Sequence, residues 1–466
     1  MFIYRPPCCN QMKSNVGKFI KNPKKALITL SLPIFIGMFV QTLYNLVDTF
    51  WVGRLGAASI AAITFAFPVF FILLSLNSGA GIGASQRISR LLGEKKKAEA
   101  ENTAVHGLII SAVMGLLVLI IGIFTIRPIF RLLGAGEAVL SLSVSYMSII
   151  LIGVFFMFAS FMMNSIFAAQ GDTRTPMKVQ ISALILNAIL DPIFIYSFGL
   201  GVAGAAVATV ISFIFSVLLF WHYLQKKSYL KVRFCCYKFS WQTIREILSI
   251  GVPASLMMVL MSVYLAVITK LMAYYGTEVV AAFGIASRLE SLAIMPLVAI
   301  SLSLTTLVAM FYGAKRLDLV KDMSWYGVRL GIYMTGAVAV LFFAMPGVFL
   351  GIFTDNKSLI DIGSIYMRVE VLTYPLMAIG VIVARIAQGL GKGMPGLIIN
   401  IIRIVVIAIP LGYAFVYILG YGFVSVAWAM VAGGFVSSAY ALIWLARELS
   451  ILSAKNKILG TKRQPA

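Results

Sequence analysis

Nothing constrains the fold of this 466-residue chain more than its runs of about twenty apolar residues, which recur along its whole length. As a helix such a run is about 30 Å long, the thickness of a bilayer's hydrocarbon core. With 61% hydrophobic residues, 12% charged and a mean hydropathy of +0.98, the chain could not cover a water-facing surface with polar groups. The bilayer must be its solvent. The pattern predicts an all-α polytopic membrane protein with twelve spans near 27–52, 59–86, 103–126, 139–169, 177–198, 202–224, 246–275, 279–310, 328–350, 363–388, 396–419 and 422–446. Turn signals separate them, among them Gly53-Arg54-Leu55-Gly56, Gly171-Asp172-Thr173-Arg174 and Gly199-Leu200-Gly201.

The net charge of +22 does not point to nucleic acid, because the basic residues sit between apolar runs. Of 38 Lys and Arg, 30 fall on alternate connections and the two tails. Lys270, Arg288 and Arg403 lie within spans. By the positive-inside rule both termini face the cytoplasm and the number of spans is even. The expected location is therefore the cell membrane, with multiple passes. The first apolar run is too long for a signal-peptide core. The cysteines form two adjacent pairs, Cys8-Cys9 and Cys235-Cys236, on the expected cytoplasmic side. A reducing compartment argues against disulfides there, and adjacent cysteines lack zinc-knuckle spacing.

The chain repeats itself. A shift of 220 pairs Pro33 with Pro253, Tyr44 with Tyr264, Gly93 with Gly313 and Tyr146-Met147 with Tyr366-Met367; a shift of 218 pairs Gln170-Gly171 with Gln388-Gly389 and Pro192 with Pro410. Six spans per repeat make the two repeats parallel. The expected organisation is an N-terminal lobe 1–224, a cytoplasmic amphipathic linker 225–245 and a C-terminal lobe 246–466 with a tail.

Intramembrane acids carry the most information. Asp48 in the first span and Asp191 in the fifth sit in apolar context, where an ionised carboxylate costs several kcal/mol, so a functional reading is the default. The plainer reading is a structural acid paired to a buried Arg, but the N-terminal half has no basic residue within a span. Tyr44 with Asp48, and Asn187 with Asp191, are spaced i,i+4 and share helix faces. The repeat partners of the acids are Ile268 and Ile409. A requirement of the fold should appear twice; this pair appears once.

Thr209 in the sixth span offers a further oxygen, although a lone Thr more often bonds to its own helix. Pro33 and Pro192 are expected to kink their helices. Gln41, Tyr146 and Asn164 are the expected polar lining of a substrate cavity. Arg288 and Glu290 are too close in sequence to share a face. Glu370 and Arg368 read as interfacial, and His106 and His222 as wet surface histidines. Methionines and phenylalanines mostly pack or face lipid, and some could line an adaptable pocket. No GxxxxGK[ST] motif or catalytic-metal spacing occurs, so the chain is expected to be no enzyme and to need no cofactor beyond a coupling ion.

These residues resemble the multidrug and toxic compound extrusion (MATE) family over essentially the whole chain. The matching stretches are Pro33, 41–49, 52–56, 170–176, 187–192 and 201–206. The resemblance implies two six-helix bundles in a V, exporting small organic cations against an inward H⁺ or Na⁺ gradient. Within the family the chain looks like the DinF-type branch. That branch's N-lobe cation-coupling site matches Tyr44, Asp48, Asn187, Asp191 and Thr209, with Na⁺ a candidate at Asp48, Asn187, Asp191 and Thr209, and Pro33 marks its bending first helix. The NorM-type branch also uses acids on the seventh and tenth helices; here the seventh span has Lys270 and no acid, and the core of the tenth has none. Expected partners are organic cations and membrane lipids, with the protein a monomer. The alternative within the superfamily is a lipid-linked oligosaccharide flippase, expected to line its cavity with basic residues, which this N-terminal half lacks. A major-facilitator transporter would need a basic signature between helices two and three; residues 91–97 read LLGEKKK instead. A non-transporting receptor does not account for the asymmetric buried acids.

Overall fold

The computed structural model describes residues 15–461 apart from Leu133 and Ala135, so Cys8-Cys9 lies outside the described residues. Twelve membrane-length elements follow one another. In the first lobe they are α1 (Pro23–Gly53), α2 (Ala57–Gly93), α3 (Lys97–Leu132), α4 (Glu137–Ala169), α5 (Arg174–Ser197) and α6 (Val202–Lys226). The second lobe has α7 (Trp241–Ala273), α8 (Thr277–Gly313), α9 (Leu317–Ala344), α10 (Lys357–Glu370 with Thr373–Gly389), α11 (Met394–Ile418) and α12 (Val424–Thr461). There is no strand among the described residues. Most helices outrun the apolar stretches, because polar residues such as Gln86-Arg87 and Lys97 to Glu101 continue the helical turn beyond the hydrocarbon.

The ninth element differs from the expected 328–350: it ends at Ala344, and a separate turn, Pro346–Gly351, follows. Proline at the second helix's first position starts it afresh. The tenth span is bent by 51° between Glu370 and Thr373. Pro375 is the cause: it has no N–H for the carbonyl of Val371, and its ring crowds that carbonyl. The Val371 carbonyl accepts instead from the Tyr374 amide at 3.2 Å, and Thr373 Oγ1 donates to the Glu370 carbonyl at 2.7 Å. Pro192 and its repeat partner Pro410 lie beside wide π-turns, Ile193–Ser197 in α5, and Ile402–Ala408 and Ala414–Ile418 in α11; a missing donor relaxes the ladder.

The lobes meet at one end only. On the basic face, Ala26, Leu27 and Leu30 of α1 enter an apolar cluster with Leu304, Leu307 and Ile382 of the second lobe. Ile247 and Met310 of the second lobe enter a cluster with Ala84, Ile88 and Leu92 of the first. Gln86 Nε2 donates to the Gly389 carbonyl at 3.1 Å, and Arg87 donates to Thr243 Oγ1 at 3.2 Å and forms an ion pair with Glu246. The repeat partners Gly93 and Gly313 cross here. A Cβ on Gly93 would overlap the Met310 carbonyl oxygen, and one on Gly313 the Arg90 carbonyl oxygen. At the far end, by contrast, each lobe packs only on itself: Val52, Phe130 and Leu140 belong to one cluster, Leu271, Met272 and Val279 to another. The molecule is a V, closed on the basic face and open on the other.

The stretch between lobes is not a surface helix. Apart from the turn Phe234–Cys236 it is irregular, and alternate residues Ser228, Leu230 and Val232 are buried against the first lobe. Gln170 Oε1 accepts from Ser228 Oγ at 2.8 Å and from the Leu230 amide at 3.1 Å. Asn102 bonds both backbone groups of Lys238 at 2.9 and 3.0 Å. His106, expected to be wet, is 1% exposed. Its Nδ1 pairs with the Asn102 carbonyl at 2.8 Å, its Nε2 accepts from the Ser240 amide at 3.0 Å, and its ring packs on Tyr237. It ties the connection to the start of α7. His222 is exposed, as expected.

Candidate cation-coupling site

Tyr44 and Asp48 stand one turn apart on α1, and Asn187 and Asp191 one turn apart on α5. Packing of α5 against both α1 and α6 brings them together with Thr209 of α6. The π-turn after Pro192 places this pair where the ladder of α5 changes pitch. Asp191 and Asn187 are fully buried, Thr209 and Asp48 nearly so. Asn187 Nδ2 donates to Asp191 Oδ1 at 3.1 Å, and the Tyr44 hydroxyl donates to Thr209 Oγ1 at 3.2 Å. Thr209 thus bonds across helices rather than to its own turn. Tyr146 on α4 is buried close to Tyr44 and both acids.

The electrostatics are unbalanced. Asp48 and Asp191 are near enough to repel one another, and neither has an ion pair among the described residues. Asp48 Oδ1, Asp191 Oδ2 and Asn187 Oδ1 are buried without a hydrogen-bond partner. Three orphaned acceptor oxygens, two of them from carboxylates, are a hard, oxygen-only donor set. That chemistry suits a proton or a small hard cation such as Na⁺.

The other expected residues divide. Gln41 is exposed on α1, about one turn below Tyr44. Asn164 is half-buried on α4, on the face of Tyr146 but about 27 Å nearer the basic end, so it is not part of the acidic cluster. Pro33 is buried within an uninterrupted α1, on the basic half.

The second lobe holds a cluster that the sequence reading missed. Glu370, expected at the interface, is fully buried, and both of its carboxyl oxygens lack a hydrogen-bond partner. Its carboxyl lies beside that of Glu290 on α8, with Tyr366 adjacent. The available signal was the i,i+4 pair Tyr366–Glu370, the same spacing as Tyr44–Asp48. The bend at Pro375 shifts Glu370 into the bundle. Arg368 is exposed, as expected. Among the described residues no three His, Cys, Asp or Glu gather as a metal site.

The MatE family profile matches the chain twice, over residues 33–193 and 253–414. The chain is a member of the MATE family. Curated relatives agree along nearly the full length. A protein named FAD transporter from Shewanella oneidensis is 30% identical over 419 residues, covering 88% of this chain and 92% of its own. The multidrug export protein MepA of Staphylococcus aureus is 28% identical over 453 residues, 95% of this chain and 98% of its own. A solved structure described as the outward-facing conformation of a multidrug resistance MATE transporter superimposes with a TM-score of 0.89 at 30% identity, covering 95% of this chain and 99% of the other. One profile match falls in each lobe of this MATE transporter, and its expected architecture of two helical bundles in a V is what the structure shows.

Proposed function

We propose that this MATE transporter is a secondary antiporter that exports cationic, amphipathic organic compounds in exchange for H⁺ or Na⁺, of the DinF type in coupling through its first lobe. The observation that carries the reading is the pair Asp48 and Asp191, held together with orphaned carboxylate and Asn187 oxygens in the first lobe. The name of the MepA relative supports the multidrug part. Asp48, Asp191, Asn187 and Thr209 would hold the ion. A bound cation cancels the charge that attracts a cationic drug, so ion and drug must weaken each other's binding. On this reading the basic face is cytoplasmic and the V opens outward, and the transporter works as a monomer.

The test is efflux from proteoliposomes, imposing a pH gradient and a sodium gradient separately. Uptake of a cationic dye against its gradient under one of the two is expected. No response to either gradient in protein that binds the dye would overturn the reading. Because one relative's name specifies a flavin dinucleotide, FAD belongs beside the dye in the same assay.

A further inference from the structure

Beside its acids Glu290 and Glu370, the second lobe carries a cation at a place related to the first lobe's acidic cluster. In the first lobe Tyr44 of α1 lies near Asp191 of α5. The repeat partner of Tyr44 is Tyr264 of α7, and over its ring, 5.8 Å from the centroid, stands Arg403 of α11. Arg403 Nη2 also reaches Met261 Sδ at 3.3 Å. Met261 is the repeat partner of Gln41 and, like it, is exposed, at 42%. The guanidinium has no ion pair among the described residues, and its buried Nε has no acceptor. Glu290 is near enough to attract it but not in contact.

A second cation faces the opening between the lobes. Arg288 is exposed on α8, 22 and 25 residues before Met310 and Gly313. At about 100° per residue these three fall within about 60° of one another. Met310 and Gly313 are the residues with which α8 meets the first lobe, so Arg288 projects from the same face higher up, where the lobes have separated. Arg288 too has no ion pair among the described residues. Cations within a span are costly and are kept where they face a cavity and have work there. A guanidinium's planar fork suits a carboxylate or a phosphate.

We infer that Arg403 and Arg288 form a second recognition wall that binds the anionic group of a zwitterionic amphiphile whose cationic end is drawn to the Asp48–Asp191 lobe. This rests on the drug-export reading and narrows it: the preferred cargo carries a carboxylate or phosphate as well as a positive charge. The decisive probes are a rhodamine methyl ester and its free carboxylate, which share one cationic ring system. Binding is read by fluorescence anisotropy in phosphatidylcholine nanodiscs.

The intact protein should bind the carboxylate dye at least fivefold more tightly than the ester. Arg403→Gln should abolish that preference by weakening the carboxylate dye about tenfold while leaving the ester within twofold, Arg288→Gln should act in the same direction, and Asp191→Asn should weaken both dyes. Arg403→Lys keeps the charge and should retain part of the preference, which separates recognition from misfolding. Equal binding of the two dyes by the intact protein, or equal effects of Arg403→Gln on both, would overturn the inference and leave cation export standing. Binding of neither dye would remove the drug reading itself. A preference present in phosphatidylcholine but lost on adding phosphatidylglycerol would assign the two arginines to lipid headgroups and also overturn it.

Discussion

Closure of the basic face depends on two glycines, and replacing either with alanine should open it. The added Cβ at Gly93 or Gly313 would meet a carbonyl oxygen of the opposite lobe. Backbone atoms cannot rotate away, so the two helices must move apart. Overpacking of this kind costs about 1–3 kcal/mol. A factor of ten in population corresponds to about 1.4 kcal/mol, so either substitution should shift the balance of closed and open forms by roughly 5- to 150-fold. The helical preference for Ala over Gly, about 1 kcal/mol, applies equally to both forms and offsets any loss of overall stability.

Spin labels at Lys178→Cys and Lys321→Cys, one exposed residue on each lobe, report the separation by double electron–electron resonance once the native cysteines are replaced with serine. Gly93→Ala and Gly313→Ala should each add a longer-distance population. Gly336→Ala is the control, because nothing lies within 4 Å of a Cβ there. Identical distance distributions for the unmodified protein, the control and both crossing variants would refute the account of closure.

Three further outcomes are expected. Asp48→Asn or Asp191→Asn should abolish gradient-driven efflux in inserted, monodisperse protein, whereas Ile268→Val and Ile409→Val should leave it within about twofold; normal efflux by both Asp variants would remove the acids from the mechanism. Asn102→Ala strips both backbone groups of Lys238 of their partner and should lower stability by about 1–2 kcal/mol in thermal unfolding, with the linker near Lys238 losing hydrogen-exchange protection first. Reporter fusions after Gly199 and after Gly420 should read as external; a cytoplasmic signal at either would reverse the proposed orientation.

Where one apolar period repeats, the sequence was legible. Twelve spans and two lobes follow from run length and from the recurrence of Pro33, Tyr44 and Gly93 at 220, and the first-lobe cluster follows from two i,i+4 pairs. What could not be read depended on distant packing. Glu370 was misplaced because the effect of Pro375 on its helix decides whether that turn faces lipid or bundle. His106 was misplaced because its partners, Tyr237 and Ser240, come from a segment without periodicity. Asn164 shares a face with Tyr146, but the spacing along the helix separates their surroundings.

Helix α1 joins the two working parts. At its basic end Ala26, Leu27 and Leu30 are packed into the second lobe; about 33 Å away along the same helix Asp48 faces Asp191. No contact chain through the first lobe is needed for the site and the closure to sense one another, since one helix belongs to both. Its weak point is Pro33, three residues beyond Leu30, where the ladder lacks a donor. On the proposed antiport, loading an ion between Asp48 and Asp191 draws the far end of α1 toward α5. A rigid helix would carry that movement to Leu27 and strain the closure, whereas a helix that yields at Pro33 would absorb it. On that proposal the side on which the bend is cheaper would decide whether ion binding opens the basic face or leaves it shut, and Pro33 would belong to the coupling although it touches neither ion nor drug.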